Sequence, residues 1–115
     1  MENKVYRITT EKQLDEILKL NLITIIDFNA IWCGPCKRIK PWFHTLPREY
    51  KEFIFLSVDI DNAEEISARY HIKSLPTFVV THGKKEMHRV LGADMESLTI
   101  VLEKLVIFYN EFKKQ

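Results

Sequence analysis

Apolar runs separated by amphipathic segments predict five strands in this chain. Residues 22–28 form an almost continuous β-branched run, which is typical of a central strand covered on both faces. Four shorter runs predict strands over residues 5–8, 53–58, 77–80 and 86–91. A turn at His82-Gly83-Lys84 joins the last two strands into a hairpin.

Helical stripes fall between the strands. Thr10 and Gln13 have the spacing of a capping box and open the first helix. A second helix is predicted to run to about residue 50, with Pro41 in its interior, where the missing N–H should kink it. Further helices are predicted over residues 62–70 and about 95–113. The alternation of strands and helices, followed by a hairpin, predicts an α/β fold with a mixed five-stranded sheet covered on both faces.

The length and the net charge of the chain exclude several classes of function. The 115 residues fit a single domain spanning residues 1–115. The net charge is +1 and no basic stripe is present, which argues against nucleic acid as a partner. No apolar run approaches the roughly 20 residues that a membrane helix needs. The first residues lack the pattern of a secretory signal, so we expect a cytoplasmic protein.

The two cysteines lie three positions apart, at Cys33 and Cys36. A disulfide between them closes so short a loop that it constrains the unfolded chain very little, which makes a structural role a poor explanation. A Cys-x-x-Cys between a strand and a helix is instead typical of redox chemistry. The helix N-terminus favours the thiolate form, and the thiolate is the nucleophile. Cys33 lies where the helix begins, and Cys36 lies one turn further.

Two other chemistries fit the cysteines less well. Half of a zinc site would need further ligands, but the four histidines show no ligand spacing, and His44, the nearest in sequence, is expected on the helix surface or in a groove. A papain-type cysteine protease needs a histidine about 130 residues downstream, which is more than this chain holds. No metal site is therefore expected.

The segment Asp27-Phe28-Asn29-Ala30-Ile31-Trp32-Cys33-Gly34-Pro35-Cys36-Lys37 resembles the active-site segment of thioredoxins. The resemblance covers roughly residues 5–105 and is closest to eukaryotic cytosolic members. It continues in order through four further segments: Lys40-Pro41-Trp42-Phe43, Val58-Asp59, Leu75-Pro76-Thr77-Phe78 and Val90-Leu91-Gly92-Ala93. It implies a thioredoxin fold and the reduction of protein disulfides by dithiol–disulfide exchange.

The resemblance also implies roles for three catalytic residues. Cys33 attacks a target disulfide, and Cys36 resolves the mixed disulfide. Asp27, in an apolar strand, corresponds to the family's buried aspartate, a proton acceptor with a raised pKa. Without the resemblance, Asp27 could equally be a hydrogen-bonded carboxylate of the core.

A target-binding surface follows from the same resemblance. Pro76 is expected in the cis form facing the cysteines, where it exposes the backbone of Leu75 for strand-like pairing with a substrate; the alternative is an ordinary proline at a strand start. The full set of expected contact residues is Trp32, Gly34, Pro35, Leu75, Pro76, Gly92 and Ala93. Reducing equivalents are expected from NADPH through thioredoxin reductase, with no bound cofactor and with disulfide-containing proteins as targets.

Two positions depart from bacterial members of the family. Asn29 replaces a tryptophan that many of them carry. Phe55 stands where they have a lysine near the buried aspartate, and the loss of that charge should leave Asp27 easier to protonate.

The C-terminal helix continues about ten residues beyond the usual end of the family. Its apolar residues recur at alternating spacings of four and three: Leu98, Leu102, Leu105, Tyr109 and Phe112. The favoured interpretation is that the first three pack on the sheet and the rest cover an edge of a monomer. The alternative is a contact surface for a partner or a second copy at Tyr109 and Phe112.

Two functions compete with disulfide reduction. The first is a binding module that regulates partners according to its redox state. The second is a disulfide-forming or isomerising enzyme, but such relatives usually carry histidine between the cysteines. Gly34 and Pro35 between the cysteines therefore favour reduction.

Overall fold

A computed structural model describes residues 2–113, without the side chain of Phe112. Its elements are, in chain order, β1 (Val5–Arg7), α1 (Glu11–Leu18), β2 (Ile23–Asn29), α2 (Gly34–Phe43), α3 (Leu46–Glu49), β3 (Ile54–Asp59), α4 (Glu64–Arg69), β4 (Thr77–His82), β5 (Lys85–Leu91) and α5 (Met95–Lys113).

The five strands form one sheet in the order β1-β3-β2-β4-β5. Strand β3 runs parallel to both β1 and β2, whereas β4 runs antiparallel to both β2 and β5. Strand β2 thus has a neighbour on each side, which agrees with its almost continuous apolar sequence. The predicted mixed five-stranded sheet is confirmed.

Helices cover both faces of the sheet because successive side chains of β2 point in opposite directions. Ile25 belongs to a core formed with residues of α2, α3 and α5. Ile26 and Phe28 belong to a second core, formed with residues of α1 and α4. The same alternation places Asp27 on the face of Ile25, toward α2.

The predicted helix to residue 50 is wrong in its second half. Helix α2 ends at Phe43, and α3 begins at Leu46. Pro47 gives the reason, because it has no N–H to bond the carbonyl of Phe43 and its ring would collide with that carbonyl in a continuous helix. Pro41 does lie inside α2. The next helix begins at Glu64, two residues after the predicted start.

The capping box at the start of α1 is confirmed. The Thr10 side chain accepts a hydrogen bond from the Gln13 N–H at 3.1 Å, and the Gln13 side chain accepts one from the Thr10 N–H at 3.2 Å. These bonds satisfy two donors that the helix itself leaves unpaired.

Replacing Thr10 with alanine is expected to lower the free energy of unfolding by about 1 kcal/mol, because one of these donors loses its acceptor. Urea unfolding of the wild type and Thr10→Ala measures the difference. Thr10→Ser keeps the hydroxyl and should stay close to the wild type; an equal loss in both variants would contradict the capping explanation.

The end of α5 packs onto its own chain. Three of its leucines are buried: Leu98, Leu102 and Leu105. The Tyr109 ring lies edge-on to Phe53, with ring centroids 6.2 Å apart, and its hydroxyl donates to Glu52 Oε2 at 3.1 Å. These contacts favour the interpretation that the extension covers an edge. The Phe112 side chain, the other half of the alternative contact surface, lies outside the described residues.

Candidate active site

The two cysteines meet at the start of α2. Cys33 is the N-cap residue of this helix, and Cys33 and Cys36 form a disulfide with their Cα atoms 5.2 Å apart. The Cys36 N–H donates to Cys33 Sγ at 3.2 Å. Each cysteine is about 5% exposed. A backbone donor and the positive end of the helix dipole therefore face the Cys33 sulfur, where both stabilise a thiolate.

A groove with a volume of about 380 Å³ lies beside Cys33. One wall is formed by Trp32, Cys33, Gly34 and Pro35, the other by Ile60 and residues 72–75. The Trp32 side chain is exposed, and its indole Nε1 donates to Asp61 Oδ2 at 2.9 Å. This bond fixes the indole at the rim without covering the groove, so a second molecule can reach the Cys33 side of the disulfide.

The peptide bond between Leu75 and Pro76 is cis, as the resemblance implies. Leu75 packs against the cysteines, and Pro76 accepts a hydrogen bond from the Gly92 N–H at 2.8 Å. Gly92 has a φ of 86°, in the region that favours glycine. Ala93 follows as an exposed residue. Of the expected contact residues, Pro76, Gly92 and Ala93 are not among those that line the groove.

A separate polar cavity of about 340 Å³ lies on the Cys36 side. Asp27 and Cys36 both line it. The remaining polar lining comes from β1, β2, β3 and α2: Arg7, Asn29, Lys37, Lys40, His44, Ser57 and Asp59. The cavity thus brings the candidate proton acceptor and the candidate resolving cysteine to one space, as the sequence predicts for this pair.

Asp27 is a buried carboxyl group with an unusual acidity. It is 4% exposed, and its Oδ1 has no hydrogen-bond partner among the described residues. Burial raises the pKa of Asp27 to about 7, and a hydrogen bond from Asn29 and the charge of Lys40 oppose the shift. A carboxyl group with this pKa exchanges its proton near neutral pH.

The expectation that Phe55 lies beside Asp27 is wrong. In the register of β2 and β3, Phe55 faces Ile25, and Ser57 faces Asp27. The Asn29 side chain donates to Ser57 Oγ at 2.8 Å and to the Asp27 carbonyl at 3.1 Å. The residue across from Asp27 on β3 is therefore uncharged, but it is Ser57 and not Phe55.

Lys40 and His44 line this cavity, which agrees with the expectation of a groove for His44, whereas no site role was predicted for Lys40. They follow Cys36 at spacings of four and eight residues, which places all three on one face of α2 and its end. Partial burial and the Lys40 charge lower the pKa of His44. The i, i+4 spacing was a signal in the sequence that could have placed them near Cys36.

Other kinds of site find little support in the part of the chain that the structure describes. Over residues 2–113, no three side chains among His, Cys, Asp and Glu are grouped so that they could hold a metal ion. None of the helices in that range is both long enough and apolar enough to cross a bilayer.

Known proteins resemble the chain in sequence and in structure. The family model described as thioredoxin matches residues 4–104. Thioredoxin 1 of Plasmodium falciparum is 36% identical over 97 residues, which is 84% of this chain and 93% of that protein. Human thioredoxin is 38% identical over 84 residues, covering 73% of this chain and 80% of the human one. The crystal structure of a poplar thioredoxin h superposes with a TM-score of 0.85 at 31% identity, covering 90% of this chain and 96% of that one. The chain belongs to the thioredoxin family and is a thiol–disulfide oxidoreductase.

Proposed function

We propose that this oxidoreductase reduces disulfides in other proteins, with Cys33 as the nucleophile, Cys36 as the resolving cysteine and Asp27 as the proton acceptor. The observation that carries the proposal is the division of the disulfide between two spaces. Cys33 lines the open groove, and Cys36 lines the polar cavity that also holds Asp27. Attack on a target by Cys33 and removal of the Cys36 proton would thus take place in two separate spaces.

The reaction begins with both cysteines reduced. The Cys33 thiolate attacks one sulfur of the target disulfide, forms a mixed disulfide and releases the other target sulfur as a thiolate, which takes a proton. The Cys36 thiolate then attacks Cys33 Sγ and releases the second target sulfur in the same way. The target gains two electrons and two protons, and the Cys33–Cys36 disulfide is formed.

Asp27 acts in the second half of this reaction. Cys36 has to lose its proton before it can attack, because the thiolate is the nucleophile. Asp27 has a pKa of about 7, so its ionised form is available near neutral pH to take that proton through a water in the cavity they share.

Target binding is proposed for the groove and the neighbouring strand ends. The backbone of Leu75, next to the cysteines, pairs with an extended segment of the target. Trp32, Gly34 and Pro35 contact that segment from the other wall, since they line it. The adjoining surface comprises Pro76, Gly92 and Ala93.

Recharging of the oxidised protein is proposed to come from NADPH through thioredoxin reductase, with no cofactor bound to the chain itself. The protein would act as a single thioredoxin domain, as a monomer and in the cytoplasm. The in-chain contacts of Tyr109 with Phe53 and Glu52 support the monomer.

An insulin reduction assay tests the proposed function. With NADPH and thioredoxin reductase, the wild type is expected to reduce insulin disulfides over many cycles, whereas Cys33→Ser falls to the rate without added protein. Binding of insulin without turnover by the wild type would contradict disulfide reduction and favour a redox-dependent binding module.

A further inference from the structure

We propose that the groove beside Cys33 selects target segments with acidic residues next to the reacting disulfide, and that Arg38 and Lys73 determine this selectivity. The inference rests on the proposed function, because it assigns a substrate class to the same groove. It is carried by the placement of two basic side chains: Lys73 lines the groove, and the Arg38 guanidinium lies over Gly34, which also lines it.

Lys73 supplies the positive charge of one wall. It is the one charged residue among those that line the groove, which are otherwise apolar or neutral. Its side chain is exposed, and within residues 2–113 it takes part in none of the ion pairs. It lies two residues before Leu75, whose backbone is the proposed pairing edge. A target that pairs with Leu75 therefore passes beside a free ammonium group.

Arg38 is a second basic residue beside the groove, although it is not among the residues that line it. It follows Gly34 by one helical turn, and its guanidinium lies over that glycine: a β-carbon added to Gly34 would be 3.4 Å from Nη1 of Arg38. Gly34 lines the groove beside Cys33. Arg38 is exposed and forms no ion pair in the described part of the chain. The guanidinium is thus available to a bound molecule at the reacting sulfur.

One carboxylate lies at the rim of the groove and keeps its negative charge while it accepts a hydrogen bond from Trp32. Asp61 follows the groove residue Ile60, and its Oδ2 accepts the indole N–H of Trp32. Lys37, the other basic residue in the first turns of α2, lines the cavity on the Cys36 side. Two cations therefore lie at the groove against one carboxylate at its rim, which leaves a net positive charge. An acidic target segment finds complementary charge there, and a basic one meets repulsion.

Exposed charges act mainly on the rate at which the protein and the peptide associate. The effect is therefore expected in kcat/KM, and salt should weaken it. Two peptides with the same intramolecular disulfide, one flanked by aspartates and the other by lysines, are reduced by the reduced protein in stopped flow. At low ionic strength, the wild type is expected to reduce the acidic peptide about tenfold faster in kcat/KM than the basic one. The ratio should approach one at about 0.5 M salt.

Each single reversal is expected to lower the preference about tenfold, to near one, because it removes an attractive charge and adds a repulsive one, and the double variant Arg38→Glu/Lys73→Glu is expected to reverse the preference. Lys84→Glu is the matched control. It makes one of the same charge changes in the turn between β4 and β5, at the end of the sheet opposite Cys33, and should leave the ratio unchanged. Equal rates with both peptides in the wild type, or an equal change in Lys84→Glu, would overturn the proposal.

Reduction of the uncharged 2-hydroxyethyl disulfide separates the two proposals. All variants should still reduce it, because it presents no charge to Arg38 or Lys73, and a change in its rate measures the effect of the new charges on Cys33 itself. A double variant that loses this activity has damaged the groove itself, and this result counts against a role limited to selectivity. A wild type that reduces neither this disulfide nor insulin contradicts the proposed function instead.

Discussion

Cys36→Ser is expected to stop the reaction at a covalent complex, with one target molecule linked to Cys33. In the proposed mechanism, Cys36 attacks the mixed disulfide from within the same molecule, one helical turn away. Without it, release waits for a thiol from solution, and well-oriented intramolecular groups correspond to effective concentrations of about 10⁵ M or more. With millimolar thiol present, we expect turnover to fall by at least about a thousandfold.

The complex is measured by intact mass under non-reducing conditions and by its disappearance on adding excess dithiothreitol. Cys33→Ser is the matched control, since Cys36 lines the cavity that it shares with Asp27 and not the groove, and it should accumulate no adduct. A stable adduct through Cys36 in that variant, or multiple turnovers by Cys36→Ser, would contradict the assigned roles.

Asp27→Asn is expected to raise the free energy of unfolding by about 4 kcal/mol above pH 7, which follows from a pKa raised from 3.8 to about 7. The cause is burial, which makes ionisation of this carboxyl costly in the folded protein but not in the unfolded chain. An uncharged asparagine of similar shape avoids that cost.

The raised pKa of Asp27 determines how the stability changes with pH. Well below pH 3.8, Asp27 is protonated in both the folded and the unfolded protein, so it adds no pH dependence to the stability. Between pH 3.8 and about 7, the unfolded chain releases the proton while the folded protein keeps it, so stability falls as the pH rises. Above about pH 7, the full cost is present. The advantage of Asp27→Asn should therefore grow from near zero at pH 4 to a plateau above pH 7.

Urea unfolding of the oxidised wild type and Asp27→Asn across this range measures the difference, and taking the difference removes the titration of the other carboxylates. Glu16→Gln is a suitable control because that side chain is exposed and takes part in no ion pair within residues 2–113. An advantage of Asp27→Asn that is the same at pH 4 and pH 8 would show that Asp27 titrates normally. In the reduced protein, the same substitution should slow resolution of the mixed disulfide by about a hundredfold near neutral pH.

Local sequence predicted the parts of the fold that depend on local pattern. The β-branched run became β2, the capping box opened α1, and Cys33 was placed at the start of α2. The end of α2 was not predictable in the same way. Pro41 and Pro47 both lie in the segment that was predicted as one helix, yet Pro41 lies inside α2 while Pro47 belongs to α3. Which proline interrupts the chain depends on how the buried Phe43 and Leu46 reach the sheet.

The residues around the cysteines were harder to predict where they come from distant segments. The Asp27–Ser57 pairing depends on the register of two parallel strands joined by a long crossover, and no local pattern fixes that register. Lys73 likewise reaches the groove only because β4 lies beside β2 in the sheet. The cysteine motif located the chemistry, whereas the tertiary fold decided which charges surround it.

The two spaces beside the disulfide share no lining residue. In the proposed binding mode, a docked target fills the side of Cys33 and leaves the side of Cys36 in contact with solvent. Proton traffic at Asp27 can then continue while a bulky client is still attached. The size of a target protein should therefore affect the rate at which it binds beside Cys33, but not the rate at which Cys36 resolves the mixed disulfide.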